Sequence, residues 1–405
     1  MIDLIQQKLE KYNKKLWVMY NDENNDRIFT KYFTSKFYTR SICIISCKKI
    51  YILIHSLDKD NIDKIEYDKK KVKILVYKDN SELLTYMEDI IAKFEFPNDI
   101  SLSYSTMSDK STDILSHGDF VYITKLLKKP YINYKKKVKF SSAEKIIYDI
   151  ESQKSSKEIE RLKLLSDITN RILEETFKKI KVSNTEIEIV KITHNITDEI
   201  MKIYIGSNDI ISYDMAWENC PIVLTGVNLQ KGGHSEPTTK RLYKGDTIYF
   251  DFGIKVNFSD GMVLYTDMQR MGYALKNNEI SPPNAVKKVF NTLVNAISDG
   301  IDEMRTGTKA YKVDKIVRED ILKAGFPDYN HATGHPVGRE VHDIGAIISL
   351  KQSKKARFEL VENGVYTLEP RVNIPNGGSI EEMILVTKYG GVPLTSLQEE
   401  IYLVR

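Results

Sequence analysis

Thr247-Ile-Tyr-Phe-Asp-Phe-Gly-Ile254 is an apolar run of strand length with one acid, Asp251, near its middle. Aromatic and β-branched residues favour a strand here. A carboxylate almost never lies inside such a run unless it is paired or binds a cation. Three further segments repeat the pattern: Val263-Leu-Tyr-Thr-Asp267 ends on an acid, Val365-Tyr-Thr-Leu-Glu-Pro370 carries Glu369, and Glu382-Met-Ile-Leu-Val-Thr387 follows Glu381. Helical periods surround them. Ser155-Ser-Lys-Glu158 reads as a capping box for a helix with Ile159, Leu162, Leu165, Ile168, Ile172 and Leu173 on one face. Ser183-Asn-Thr-Glu186 reads as the box of a second, through Ile189, Ile192, Ile196, Ile200 and Ile203, which leaves His194 off the stripe and on the surface. Two more helices are expected from about Pro283 to Met304 and from about Lys309 to Ala324, the latter stopped by Gly325 and Pro327. Strands crossed by long helices imply an α+β domain over residues 145–405.

Residues 1–144 read differently. Trp17-Val-Met-Tyr20, Ser41-Ile-Cys-Ile-Ile-Ser-Cys47, Ile50-Tyr-Ile-Leu-Ile-His55 and Val72-Lys-Ile-Leu-Val-Tyr77 look like strands, and Ser81 to Ile91 has the amphipathic helix period. The alternation predicts a small α/β domain with a mostly covered sheet. His55 and His117 have no second imidazole or cysteine at ligand spacing and read as structural.

At 405 residues the chain is long enough for two domains. Sixty Lys+Arg against 56 Asp+Glu leave a formal charge of +4, which gives no reason to expect a nucleic-acid partner. The short lysine runs at 69–71 and 135–137 read as solvated loops. The first residues lack a basic region followed by an apolar core, and no apolar run approaches the ~18 residues of a spanning helix, so neither a signal peptide nor a membrane is expected. Cys43, Cys47 and Cys220 cannot all pair; they read as reduced thiols of a cytoplasmic protein.

His331-Ala-Thr-Gly-His-Pro-Val-Gly-Arg-Glu-Val-His342 holds three of the seven histidines. Gly334, Pro336 and Gly338 argue against a helix, so the segment reads as a glycine-permitted turn presenting His335, with His342 on an extended stretch behind it. Four carboxylates converging on this imidazole would repel by several kcal/mol unless positive charge lay among them. Near these motifs only Arg270, Arg339 and Arg371 could supply it, whereas two divalent cations would neutralise four carboxylates charge for charge. An oxygen-rich set with one imidazole suits manganese best, with cobalt, iron or zinc as alternatives. A two-metal site of this kind lowers the pKa of a bridging water and stabilises the oxyanion formed on attack at a carbonyl.

The series Asp-Phe-Gly at 251, Thr-Asp-Met-Gln-Arg at 266–270, Gly-His-Pro-Val-Gly-Arg-Glu-Val-His at 334–342, Leu-Glu-Pro at 368–370 and Ile-Glu-Glu-Met at 380–383 resembles the metallopeptidases of the pita-bread fold, the creatinase and methionine aminopeptidase superfamily. Within it, the likeness is greatest to Xaa-Pro aminopeptidases and prolidases, because an α/β domain of creatinase type precedes the catalytic one. The resemblance implies that Asp251 binds one metal, His335 and Glu369 the other, and that Asp267 and Glu381 bridge them. It makes Glu369 the acid or base that manages the water's proton. It makes His342 the donor to the oxyanion or scissile amide, and gives His234 a part in passing a proton to the leaving nitrogen. His331 would line the proline pocket. The implied substrates are peptides with proline second, and the implied assembly is a homodimer.

The pattern departs in places. Asp251 and Asp267 are separated by an insertion around Asn257 to Met262, which makes Asp260 a rival for Asp267; Glu382 likewise rivals Glu381, although strand alternation allows only one of them to face the metals. Pro336 replaces a glycine and Arg371 a small residue. Ser379 stands where many relatives have an arginine, which favours longer peptides over dipeptides. The reading is therefore an aminopeptidase acting on Xaa-Pro bonds, with a prolidase as the same-class alternative and a non-catalytic relative of the fold as a different class. A creatinase-like activity is disfavoured because that branch works without the metal ligands.

Overall fold

The computed structural model describes residues 2–23, 26–33, 37–64, 68–107, 111–231 and 235–405. The chain divides into two compact units, Met1–Ile150 and Glu151–Arg405.

In the first unit a mixed sheet of six strands runs in the order Val72–Tyr77, Ile50–His55, Ser41–Ile45, Trp17–Asn21, Asp99–Leu102 and Lys139–Ser142. Alternation along Trp17–Asn21 decides its two faces. Trp17 and Met19 pack with Ile5, Leu9, Phe29, Ile146 and Ile147, whereas Val18 and Tyr20 pack with Met87, Ile90, Ile123 and Leu127. The sheet is thus covered on both sides by helices. The helix Glu144–Glu151, which the expected boundary between residues 144 and 145 cuts, supplies Ile146, Ile147 and Ile150 to this core. His55 Nε2 lies 3.0 Å from the Lys78 carbonyl oxygen.

Among the described residues the second unit holds two packed helix pairs and four small sheets. Ser156–Lys179 and Glu186–Tyr204 share a core with the strands Ile210–Met215, Thr247–Phe252 and Ile254–Phe258. Asn284–Glu303 and Ala310–Lys323 share another with Met268–Ala274, Val365–Leu368 and Glu382–Val386. The capping box at Ser155 and Glu158 forms. The second box is shifted: Thr185 and Glu188 form it, because Ser183 sits at φ 83° and cannot be an extended N-cap. Glu186, freed from capping, is buried and accepts from the backbone N–H and hydroxyl of both Thr225 and Thr238 and from Asn228 Nδ2. His194 is half-buried rather than on the surface, its Nε2 2.8 Å from the Cys220 carbonyl oxygen. Among the described residues no helix is long and apolar enough to cross a membrane.

The strand expected over 247–254 breaks at Gly253, where a Cβ would lie 2.0 Å from the Thr266 carbonyl oxygen. That close approach brings Asp251 and Asp267 onto neighbouring strand ends. His342 is not on an extended stretch: residues 338–342 bend, and the segment is held by isolated bridges from Gly334 to Ile348 and from Pro336 to Tyr366.

Candidate metal centre

Thr247–Phe252 pairs antiparallel with Met268–Ala274 so that Asp251 faces Gln269, and Gln269 is in turn bridged to Glu381. Residues opposite one another on paired strands share a face, so Asp251, Gln269 and Glu381 form a row across three chain segments. Asp267 stands two residues before Gln269 and joins the same face. The next positions turn away. Arg270 is fully buried on the far side, where Nη2 lies 3.2 Å from Glu382 Oε2, and Asn170 Oδ1 and the Glu381 carbonyl oxygen take its other donors. Glu382 therefore points away from the cluster and Glu381 into it. Asp260 is exposed and held by Lys157 and Arg161 at 2.8 and 2.9 Å.

The histidine loop is laid alongside Val365–Leu368. Thr367 N–H donates to the His335 carbonyl oxygen at 2.8 Å, Glu369 N–H to that of Thr333 at 2.8 Å, and His335 N–H to Thr367 Oγ1 at 3.1 Å. A Cβ on Gly334 would meet the Thr367 carbonyl oxygen at 2.0 Å, so glycine is required for this approach. As a result His335 Nε2 lies 3.6 Å from Asp267 Oδ2, 3.7 Å from Glu369 Oε1 and 3.7 Å from Glu381 Oε1. Ligand atoms of Asp267, His335 and Glu381 all lie within 4.8 Å of one another. The His342 ring stands edge-on to that of His335, with centroids 4.4 Å apart. His331 is exposed, with its ring 4.8 Å from that of Tyr329. His234 lies outside the described residues.

Burial pushes all four carboxyls upward, and repulsion from neighbouring acids adds to it at Asp267, Glu369 and Glu381. Asp251 is raised to about 6, chiefly by burial. Glu369 is raised to about 8 by burial and then by the Asp251 charge. Asp267 and Glu381 are raised well above the usual range by burial and by the neighbouring acids. Asp251 Oδ1, Asp267 Oδ1 and both carboxylate oxygens of Glu381 are buried without a hydrogen-bond partner. Buried acceptors are ordinarily satisfied, so unpartnered oxygens from three carboxylates beside an imidazole fit a cation-binding set. Their chemistry, carboxylate oxygen with one imidazole nitrogen, is that of a hard divalent ion.

Two polar side chains in this site lie inside the quoted stretches but carry no role in the sequence reading. Tyr249 is buried and its hydroxyl donates to Asp251 Oδ2 at 2.8 Å. Gln269 Nε2 donates to Glu369 Oε2 at 3.1 Å and lies 3.5 Å from Asp251 Oδ2. The signal for both was the strand period: Tyr249 is two residues from Asp251, and Gln269 two from Asp267.

Residues 160–388 match the family described as metallopeptidase family M24. An uncharacterized peptidase of Staphylococcus haemolyticus is 28% identical over 63% of this chain and 66% of its own length. The Xaa-Pro dipeptidase of Pyrococcus horikoshii is 27% identical over 72% of this chain and 75% of its own. The chain spans slightly less than two thirds of the first curated relatives it matches, 63 to 66% of their length. Among solved structures, the X-Pro aminopeptidase of Thermotoga maritima is similar at a TM-score of 0.62 and 21% identity, with 98% of this chain and 100% of that one covered. Similarity of this kind over both units shows the fold expected from the sequence, a pita-bread α+β unit preceded by a smaller α/β unit.

Proposed function

Because this chain belongs to metallopeptidase family M24, we propose that it is a dinuclear-metal aminopeptidase that hydrolyses the bond between an N-terminal residue and a following proline. The observation that carries this reading is the set of buried, unpartnered carboxylate oxygens on Asp251, Asp267 and Glu381, the last two of which close around His335. Asp251 would hold one ion, His335 and Glu369 the other, and Asp267 and Glu381 both; manganese is the ion that donor set suits best. When bound, the cations acidify a water molecule and offset the charge that develops on the scissile carbonyl.

The chain's own residues do the rest. Gln269 donates to Glu369 Oε2 and holds the carboxylate in place, and Glu369 takes up the water's proton and passes it on. His342, against the His335 ring, donates to the carbonyl oxygen of the scissile bond. His331 lines the pocket for the proline ring, and His234 hands a proton to the leaving nitrogen. A dedicated site is needed because proline has no N–H and a fixed φ, which general peptidases accept poorly. The protein acts as a homodimer in the cytoplasm, where Cys43, Cys47 and Cys220 remain free thiols.

Dipeptide cleavage is the second reading. Arg371 is the backbone partner of Ser379 across a strand pair, so an arginine lies in register with the position where the sequence lacks one. The test is metal-depleted protein restored with manganese and offered one Xaa-Pro dipeptide and one longer Xaa-Pro peptide. Activity should return with manganese, fastest on the longer peptide, and be lost in Asp251→Ala and His335→Ala. Protein that holds no divalent ion, or that still cuts Xaa-Pro bonds without Asp251, overturns the reading.

A further inference from the structure

Each carboxylate at this site has two oxygens, and something must decide which of them faces the ions. On Asp251 the division is complete: Oδ2 receives the Tyr249 hydroxyl at 2.8 Å, and Oδ1 is buried with no partner. On Glu369, Oε2 receives Gln269 Nε2 at 3.1 Å, and Oε1 faces His335 Nε2 at 3.7 Å. The same amide lies 3.5 Å from Asp251 Oδ2, so it reaches the carboxylates assigned to different ions.

Both donors are held by the fold. Gln269 is fixed by reciprocal backbone bonds to Glu381, N–H to carbonyl oxygen at 3.3 and 3.0 Å. The Tyr249 ring lies under the Arg371 guanidinium at 5.1 Å, and Arg371 in turn donates to the carbonyl oxygens of Leu229 and Lys231. Tyr249 is buried and cannot swing out to water.

Resting on the two-metal reading above, we propose that Tyr249 and Gln269 are positioning residues that assign the carboxylate oxygens. Tyr249 turns Asp251 so that Oδ1 is offered to its ion, and Gln269 sets the spacing between the two ion sites by spanning Asp251 and Glu369. Partners that hydrogen-bond to metal ligands in this way typically affect affinity by roughly 10- to 100-fold. The two residues should differ in kind: Tyr249 touches a ligand of one ion, whereas Gln269 touches a ligand of each.

The experiment is calorimetric titration of manganese into the metal-depleted full chain, resolving two equivalents, for wild type, Tyr249→Phe and Gln269→Leu. Tyr249→Phe deletes only the hydroxyl and keeps the buried ring. It should weaken one equivalent by roughly 10- to 100-fold and leave the other within about threefold. Gln269→Leu should weaken both equivalents and alter the exchange coupling between paired manganese ions seen by electron paramagnetic resonance. Unfolding midpoints taken in chelator separate this from general destabilisation, which would lower both equivalents in both variants together. Two equivalents in Tyr249→Phe that match wild type overturn the proposal while the metal reading stands; wild-type protein that takes up no manganese overturns both.

Discussion

Glu381 and Glu382 are adjacent, and the 1% and 2% of their surfaces left exposed say that both are buried. Their surroundings differ. Glu381 has no hydrogen-bonded partner for either oxygen, while Glu382 has Arg270 and the Gln398 N–H. Glu381→Gln should therefore abolish manganese uptake and lower activity roughly a thousandfold, the equivalent of losing several kcal/mol of charge stabilisation, with the fold intact. Glu382→Gln should leave Arg270 buried and uncompensated, costing about 3 kcal/mol in denaturant unfolding while manganese still binds. Metal titration and urea melts of the two variants check the pair. Protonation gives a second prediction. Asp251 and Glu369 are raised to about 6 and about 8, above their unfolded values, so the metal-free protein holds their stabilising contribution at acid pH and loses it as pH rises through those values. The unfolding midpoint in chelator should fall between about pH 5 and 8. Manganese, which needs the ionised forms, should bind more tightly over the same interval with release of protons, read from the dependence of binding heat on the buffer.

The loop that presents His335 has no regular structure, so its position depends on ties to neighbouring elements. Arg339 donates to Glu158 at 2.5 and 3.0 Å and to the Gln153 carbonyl oxygen at 2.7 Å, at the start of the helix Ser156–Lys179. Lys154 and Asp343, both buried, meet at 3.2 Å. Burial opposes the charge on Asp343, but Lys154 and Arg339 outweigh it and hold the carboxyl below its ordinary range. A depressed pKa contributes stability above the unfolded value and loses it as pH falls through the folded one. Asp343→Asn should therefore cost about 3 kcal/mol at neutral pH, from the buried lysine left alone, and should flatten the loss of stability below about pH 4. Midpoints recorded from pH 3 to 7 decide it. Gly334→Ala should displace the loop from Thr367 and reduce metal uptake, because its Cβ has nowhere to go.

For the whole chain, the candidate metal centre joins elements far apart in sequence: two strands near 250 and 270, the loop at 335 and two strands beyond 365. A ligand that binds only the folded arrangement stabilises all of them together, by about 2.7 kcal/mol at a hundred times its dissociation constant. Hydrogen exchange should slow with manganese in Thr247–Phe252, Met268–Ala274 and Val365–Leu368 and stay unchanged in the sheet of the first unit, which has its own core. Uniform slowing throughout the chain would mean that the ions act elsewhere.

What the sequence determined by itself was whatever repeats locally. The helices Asn284–Glu303 and Ala310–Lys323 and the strands Ile50–His55 and Val72–Tyr77 match their expected spans within a residue, because periodicity and end signals lie within a few residues of one another. The acids in apolar runs also announced themselves, since burying an unpaired carboxylate is too costly to be accidental. The tertiary structure alone decided which acids meet. Register across Thr247–Phe252 and Met268–Ala274 put Gln269 opposite Asp251, and pairing with Arg270 drew Glu382 to the far face; ion pairs with Lys157 and Arg161 kept Asp260 outside. It also moved a helix cap to Thr185 and freed Glu186 for a buried network. These are contacts between residues tens to hundreds of positions apart, and the short-range preferences of a chain carry no information about which distant group will supply a charge or a hydrogen bond.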